Sequence, residues 1–172
     1  MDGPFKDFPQ ITVYHASPDS GENTFLNFGW TGWIGSISGV NAEKMSIHEI
    51  GASYPDSTFG KMSVHGVPFT YVLRDILQFD RTILDGNSRL ASADRTCDLI
   101  LGIGDGKSRK FNSVEYSADT CAFMDDTNMR PVGDWHPVVE NTVYYGMDWY
   151  ACLRRCLDRF LLSLSHFVYF SF

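Results

Sequence analysis

The chain has 172 residues, 44% hydrophobic and 15% aromatic, enough for one domain with a sizeable core and a substantial sheet. A formal charge of −7 and a pI near 5.0, with no Lys/Arg-rich run, argue against a nucleic-acid footprint. Four cysteines without a C-x-x-C pair argue against a disulfide-stapled miniprotein and a structural zinc site, and no metal or other cofactor is called for.

The N-terminal MDGPFKDFPQ has neither the basic nor the apolar region of a signal peptide. QITVYHA, residues 10–16, reads as a strand, and SPDSGEN after it as a turn cluster. Ile34, Ser36, Ile37 and Ser38 read as a strand of small residues, Gly39-Val40-Asn41-Ala42 as a turn, and Met45–Ile50 as the return strand of a hairpin. From Gly66 to Ala93 the apolar period becomes helical and predicts two helices. Pro68 takes the first helical position of one and Thr82 caps the other, although Gly86 weakens the second. Both helices need a sheet to cover.

Asp98–Ile103 is nearly all apolar, as expected of a strand buried on both faces. The G-I-G-D-G-K run ending at Lys107 invites a phosphate cradle, but a cradle needs a helix to start directly after it. KFNSVEYS follows instead, without helical period, so Asp-Gly predicts a hairpin. Cys121–Met124 is another short strand, and DDTNMRPVGDWHPVVEN a polar loop. Counted from Asp125, the sixth and twelfth places hold Arg130 and His136, so an EF-hand calcium loop is ruled out. Thr142–Tyr145 is the last strand. Strands, two helices and strands again predict an α+β layered fold with a long antiparallel sheet. The apolar C-terminal run FLLSLSHFVYFSF is well short of the roughly 20 residues of a spanning helix, so no membrane span is expected.

Single residues give little chemistry. His48 and Glu49 are neighbours on a strand, point to opposite faces and cannot pair. Cys97 or Cys121 could partner a histidine as a nucleophile, but Cys97 opens a buried strand, where thiols are usually inert. Cys152 and Cys156 share a helical face without further ligands, which reads as packing. Arg74-Asp75 reads as a helix-surface or interlayer pair.

The ordered set of motifs says more. GWTGWIGSISGVNAEKMSIHEIG, then HGVPFTYVLRDILQFDRTILDGNSRLASADRTCDLILGIGDGKSRKFNSVEYS, then DWHPVVENTVYYGMDW resemble the acid-ceramidase-like branch of the penicillin acyl-transferase group of amide hydrolases. The resemblance spans about residues 8–150. It implies the four-layer αββα sandwich of N-terminal-nucleophile hydrolases, in which a cysteine freed as a new N-terminus attacks an amide carbonyl. The cysteine's own α-amino group serves as base. That cysteine lies upstream of the G-W-x-G-x-I-G motif in the family, and here no cysteine precedes Trp30.

The resemblance carries Asn41 into a turn beside the substrate channel and Asp148 into the place of an oxyanion-stabilising Asn. It leaves Glu49 on the strand leading from Asn41, and Trp30 and Trp33 as candidate walls of an acyl pocket, with a place in the core as the equal alternative. For Asn41, Glu49 and Asp148 a packing or turn role competes with the supporting catalytic one.

The expectation is therefore an incomplete N-terminal-nucleophile domain over residues 1–150, a partial αββα sandwich, followed by a divergent, helical tail over residues 151–172. Its function would be that of a fragment of a cysteine amide hydrolase acting on acyl-amide or ceramide-like lipid substrates, inactive as given. The rivals are a standalone thiol hydrolase using Cys97 or Cys121 and a non-catalytic ligand- or partner-binding domain, for instance one complementing a separate N-terminal chain. The family points to the secretory or lysosomal route, whereas no signal peptide is present, so localisation stays open.

Overall fold

Apolar–polar alternation over Met45–His48 builds one strand and a nearly continuous apolar run builds the strand that begins at Leu99; the computed structural model describes residues 7–51, 54, 59–128, 142–145 and 168–171. Seven strands form one sheet in chain order: β1 (Pro9–Tyr14), β2 (Phe25–Trp30), β3 (Ser38–Asn41), β4 (Met45–Gly51), β5 (Leu99–Asp105), β6 (Lys110–Tyr116) and β7 (Cys121–Met124). Successive pairs from β1 to β6 are antiparallel. Two helices, α1 (Phe69–Phe79) and α2 (Ile83–Ser92), leave after β4, and the chain returns to place β5 beside it. The α+β class with a long antiparallel sheet is what the order of elements called for.

Helix α1 carries Val72, Leu73, Ile76 and Leu77 on one side, the i, i+4 spacing of a buried stripe. Pro68 is its N-cap, one place ahead of the expected first helical position, and the Pro68 carbonyl accepts from Tyr71 and Val72. Thr82 caps α2 as expected: its hydroxyl accepts from the Asp85 N–H, and the Asp85 carboxylate accepts from the Thr82 N–H at 3.0 Å. Gly86, a poor helix former, faces Ile103 of β5. A Cβ there would collide with the Ile103 side chain, so the glycine admits close approach of α2 to the sheet. Gly39 does the same under Leu77 of α1.

Residues directly opposite in the ladders share a face. One face, carrying Phe25, Asn41, Met45, Ile47, Leu99, Leu101, Ile103, Val114 and Tyr116, lies under α1 and α2 and forms the core with their apolar stripes. Leu73, Ile76, Leu77 and Leu90 are at most 1% exposed, and each contributes roughly 1.5–3 kcal/mol by burial.

Three local expectations are corrected. Ile34–Ile37 is not a strand, and Gly39-Val40-Asn41, read as a turn, is the body of β3; the turn is displaced to residues 42–44, where Lys44 takes φ 62°. Strand β2 was not anticipated at all. The glycine-rich hairpin exists, but Asp105 ends β5 and the turn is Gly106–Arg109, with the positive φ (54°) at Arg109.

The chain divides into two compact units, Met1–Phe123 and Met124–Phe172. In the second, β8 (Thr142–Tyr145) pairs antiparallel with β9 (Val168–Ser171). The helix expected over residues 151–172 falls almost wholly outside the described residues, of which the tail contributes only 168–171.

Candidate functional site

The glycine-rich loop settles its own question. Asp105 Oδ1 accepts from the N–H groups of Lys107 (2.9 Å) and Ser108 (3.3 Å), and Oδ2 accepts from Ile83 N–H at the start of α2. Backbone donors that would hold a phosphate are already occupied by the protein's own carboxylate. Burial alone would raise the Asp105 pKa, but these hydrogen bonds outweigh it and hold the carboxyl below its ordinary value. Lys107 Nζ donates to Glu43 Oε2 (2.8 Å) and to the Arg81 carbonyl.

Asn41 is buried and its side chain is fully committed. Nδ2 donates to the carbonyls of Leu77 (3.0 Å) and Asp80 (2.9 Å), and Oδ1 accepts from Met45 N–H (2.8 Å). Asn23 Nδ2 reaches the same two carbonyls. Together they satisfy the C-terminal end of α1, whose last carbonyls have no helical partner. Asn41 is thereby held as a clamp between hairpin and helix.

Glu49 lies on the helix-covered face, opposite Leu101 and two places beyond Ile47. Half-buried among apolar groups, its carboxyl is pushed above the usual range by desolvation. Asn41 stands beside Met45, so Glu49 is four residues further along β4, roughly 14 Å away at about 3.4 Å per residue. The two do not form one site. Trp30 ends β2 on the opposite face and meets Trp33 edge-on, ring centroids 5.9 Å apart. Trp30 is half-buried and Trp33 is 41% exposed, an arrangement open to an apolar ligand. Asp148 lies outside the described residues.

The thiols are quiet. Cys97 and Cys121 are both half-buried, and desolvation raises both pKa values; for Cys97 the neighbouring charges of Asp98 and Glu49 add to it. Neither environment favours the thiolate. The raised values of Cys97 and of fully buried Tyr116, whose hydroxyl has no partner, have the same cause.

One polar pair escaped the sequence reading. Ser38 Oγ and His48 Nδ1 are 2.8 Å apart on the face turned away from the helices. Burial lowers the His48 pKa and so favours the neutral imidazole. Across the sheet His48 is followed by Gly102 and then Ser113, whose buried hydroxyl has no partner. The signal for Ser38 was the hairpin register: once the turn is placed at residues 42–44, residues 38 and 48 are opposite.

No protein-family model matches the chain. It is similar to two proteins of Dictyostelium discoideum. Protein dcd1A is 30% identical over 174 residues, covering 94% of this chain and 38% of that protein. Protein dcd1B is 31% identical over 149 residues, covering 84% of this chain and 29% of that protein. The chain therefore spans less than two fifths of the curated relatives it matches, and neither name states a reaction. No helix among the described residues is long and apolar enough to cross a membrane.

Proposed function

We propose that this chain is a portion of a cysteine N-terminal-nucleophile hydrolase acting on linear amide bonds of acyl-amide or ceramide type. On this reading the 172 residues are catalytically silent on their own, since no cysteine precedes Trp30. The observation that carries the reading is a sheet apolar on both sides. Helices α1 and α2 cover one face, while Ile11, Val13, Phe28 and Val40 line the other at 40–62% exposure. An antiparallel sheet destined for water on one side alternates apolar with polar; β4 does so over Met45–His48, but β1 and β2 turn Ile11, Val13, Leu26 and Phe28 to the face away from the helices. It has the make-up of an inner layer, as an αββα sandwich requires. The Trp30–Trp33 pair offers the apolar contact that an acyl chain needs.

In this scheme Asn41 positions the β3–β4 hairpin against α1 and does not touch the reacting carbonyl; Asp148 stands at the place of the family's oxyanion-stabilising Asn, a role its carboxyl fills only when protonated, since the carboxylate accepts and does not donate. The nucleophile and its α-amino base come from an N-terminal segment, in the same or a complementing chain. The test is hydrolysis of a fluorogenic dodecanoyl amide. The expected outcome is no turnover by the 172 residues alone, and turnover once a segment bearing an N-terminal cysteine is fused ahead of Asp7. Turnover by the chain alone, lost in Cys97→Ser or Cys121→Ser, would overturn the proposal in favour of a standalone thiol hydrolase.

A further inference from the structure

Residues 31–37, between β2 and β3, are held more firmly than a plain connection needs. Trp33 N–H donates to the Trp30 carbonyl at 3.0 Å and closes a tight turn. Gly32, the third residue of that turn, takes φ 83°, the conformation a type II turn requires there. The two indoles are thus the first and last side chains of one turn, which is why their rings meet.

Beyond the turn, three consecutive residues are tied to the body of the domain. The Arg74 guanidinium donates to the Ile34 carbonyl, Asn27 Nδ2 to the Gly35 carbonyl at 3.1 Å, and Ser36 N–H to the Thr70 carbonyl at 2.8 Å. A Cβ at Gly35 would collide with the Thr70 side chain, so the glycine lets the loop lie directly on α1. Arg74 is itself fixed. Its guanidinium carbon lies 4.4 Å from the ring centroid of Tyr14 and 5.7 Å from that of Phe25, two rings that stack on one another at 4.7 Å.

This anchoring weakens the core around it. Asn27 is 3% exposed in a core-facing place that an apolar residue would fill, and Ser36 is fully buried. Asn27 Oδ1 and Ser36 Oγ both lack a hydrogen-bond partner among the described residues. Orphaned buried polar atoms destabilise a fold. Such a departure from core rules marks a place where geometry outranks stability.

We propose that Arg74 is a positioning residue for the acyl chain of the substrate: by holding the Ile34 carbonyl it fixes the Trp30–Trp33 turn, so that the two indoles form one preset wall. The inference rests on the amide-hydrolase reading for the chemistry of the ligand, a long acyl chain on an amide. Arg74 touches neither that chain nor the reacting carbonyl. Asn27 and Thr70 hold the next two residues of the loop in the same way. An already ordered wall leaves less entropy to lose on binding, which strengthens affinity. An acetyl group does not reach across rings whose centroids are 5.9 Å apart, so the gain is confined to long chains.

The experiment compares the chain with its Arg74→Met variant, which keeps an apolar stem on Tyr14 and removes the donor. Exciton coupling between the two indoles is read by circular dichroism, and dodecanamide binding by tryptophan fluorescence. In the fusion bearing an N-terminal cysteine, kcat and KM are measured for the dodecanoyl and acetyl amides. Arg74→Met should weaken the exciton couplet and lower dodecanamide affinity about tenfold. It should raise KM for the dodecanoyl amide by the same factor, with kcat and the acetyl amide unaffected. Asn27→Leu, which removes the neighbouring anchor and keeps the core filled, should move the same readouts in the same direction. Ile83→Ala, a cavity at the start of α2, should lower thermal stability and leave couplet and affinity unchanged.

A folded Arg74→Met with unchanged couplet and affinity overturns the inference, as does an equal loss in Ile83→Ala. So does a failure of both the chain and the fusion to bind dodecanamide. Should Arg74→Met not fold, Asn27→Leu decides by the same readouts. A fusion that cleaves no amide, while Arg74→Met still weakens dodecanamide binding, removes the amidase reading and leaves the role of Arg74 standing. A fusion that cleaves the dodecanoyl amide with the same KM in Arg74→Met does the reverse.

Discussion

Replacing Asn41 by alanine separates a structural clamp from a catalytic side chain. The substitution removes two donors and one acceptor from a site that is 5% exposed. Met45 N–H loses its 2.8 Å acceptor outright, and the carbonyls of Leu77 and Asp80 keep only Asn23, at 3.4 and 2.9 Å. An orphaned buried N–H costs about 1–3 kcal/mol, and the weakened helix end adds about 1 kcal/mol. The expected loss is therefore about 2–4 kcal/mol, out of a typical total near 5–15 kcal/mol for a domain. The assay is urea unfolding followed by tryptophan fluorescence, with the midpoint converted through a shared m-value. Asn41→Asp should be at least as damaging, since a carboxylate keeps the Met45 contact but meets two carbonyls with no proton to donate. A loss below about 0.5 kcal/mol for Asn41→Ala, a size typical of a surface change, would refute the clamp and return Asn41 to the candidates for chemistry.

Asp105→Asn should cost about 1–2 kcal/mol at pH 7 by weakening the bonds to Lys107 and Ser108. Because the folded-state pKa of Asp105 is held below its unfolded value, its contribution is present above about pH 4 and fades as pH falls through the folded pKa; the variant should lack that part of the acid limb, and an unchanged acid limb would count against the capping role. Glu49 has the opposite sign: its folded pKa is raised, so stability is full below about pH 4.5 and is lost as pH rises through the folded value. Glu49→Gln should thus gain stability at pH 7 and gain nothing at pH 4 in thermal melts, whereas a loss at pH 7 would show a partnered carboxylate. Cys97 and Cys121, raised by burial, should react with iodoacetamide at pH 7.5 more slowly than free glutathione does, and a faster reaction at either would revive the thiol-nucleophile reading.

What the sequence made legible was whatever obeyed one local rule. Thr82 and Asp85 spell a capping box in four residues, and Leu99–Ile103 is apolar without interruption, so both elements were readable before any coordinates. Strand β2 was hidden because Asn27 occupies a core-facing place: it is 3% exposed and donates to the Gly35 carbonyl at 3.1 Å, which breaks the alternation that marks a strand. Strand β3 was hidden by composition, since Gly39-Val40-Asn41 reads as a turn until α1 is known to lie on it. Gly39 is there to admit Leu77, and Asn41 to reach the helix end, both tertiary reasons with no local signature. The spatial arrangement of the candidate residues was hidden for the same reason. Asn41, Glu49 and Trp30 follow one another along the chain, but strand pleating sends Trp30 to the opposite face from the other two, and strand length sets Asn41 and Glu49 apart.

Every neighbour pair in the seven-stranded sheet is also a neighbour pair in sequence, but β4 and β5 are joined only through residues 52–98, which include both helices. The other ladders can form as their turns close, while the β4–β5 ladder waits for a much longer loop to shut. Folding then has one slow closure, and the helical hairpin that α1 and α2 make through the Arg89–Asp80 ion pair (2.6 Å) shortens it by bringing Gly51 and Leu99 toward one another. The β4–β5 ladder, seven pairs from Met45–Asp105 to Gly51–Leu99, is accordingly the last to close, and in refolding its amides should gain protection later than those of the other ladders.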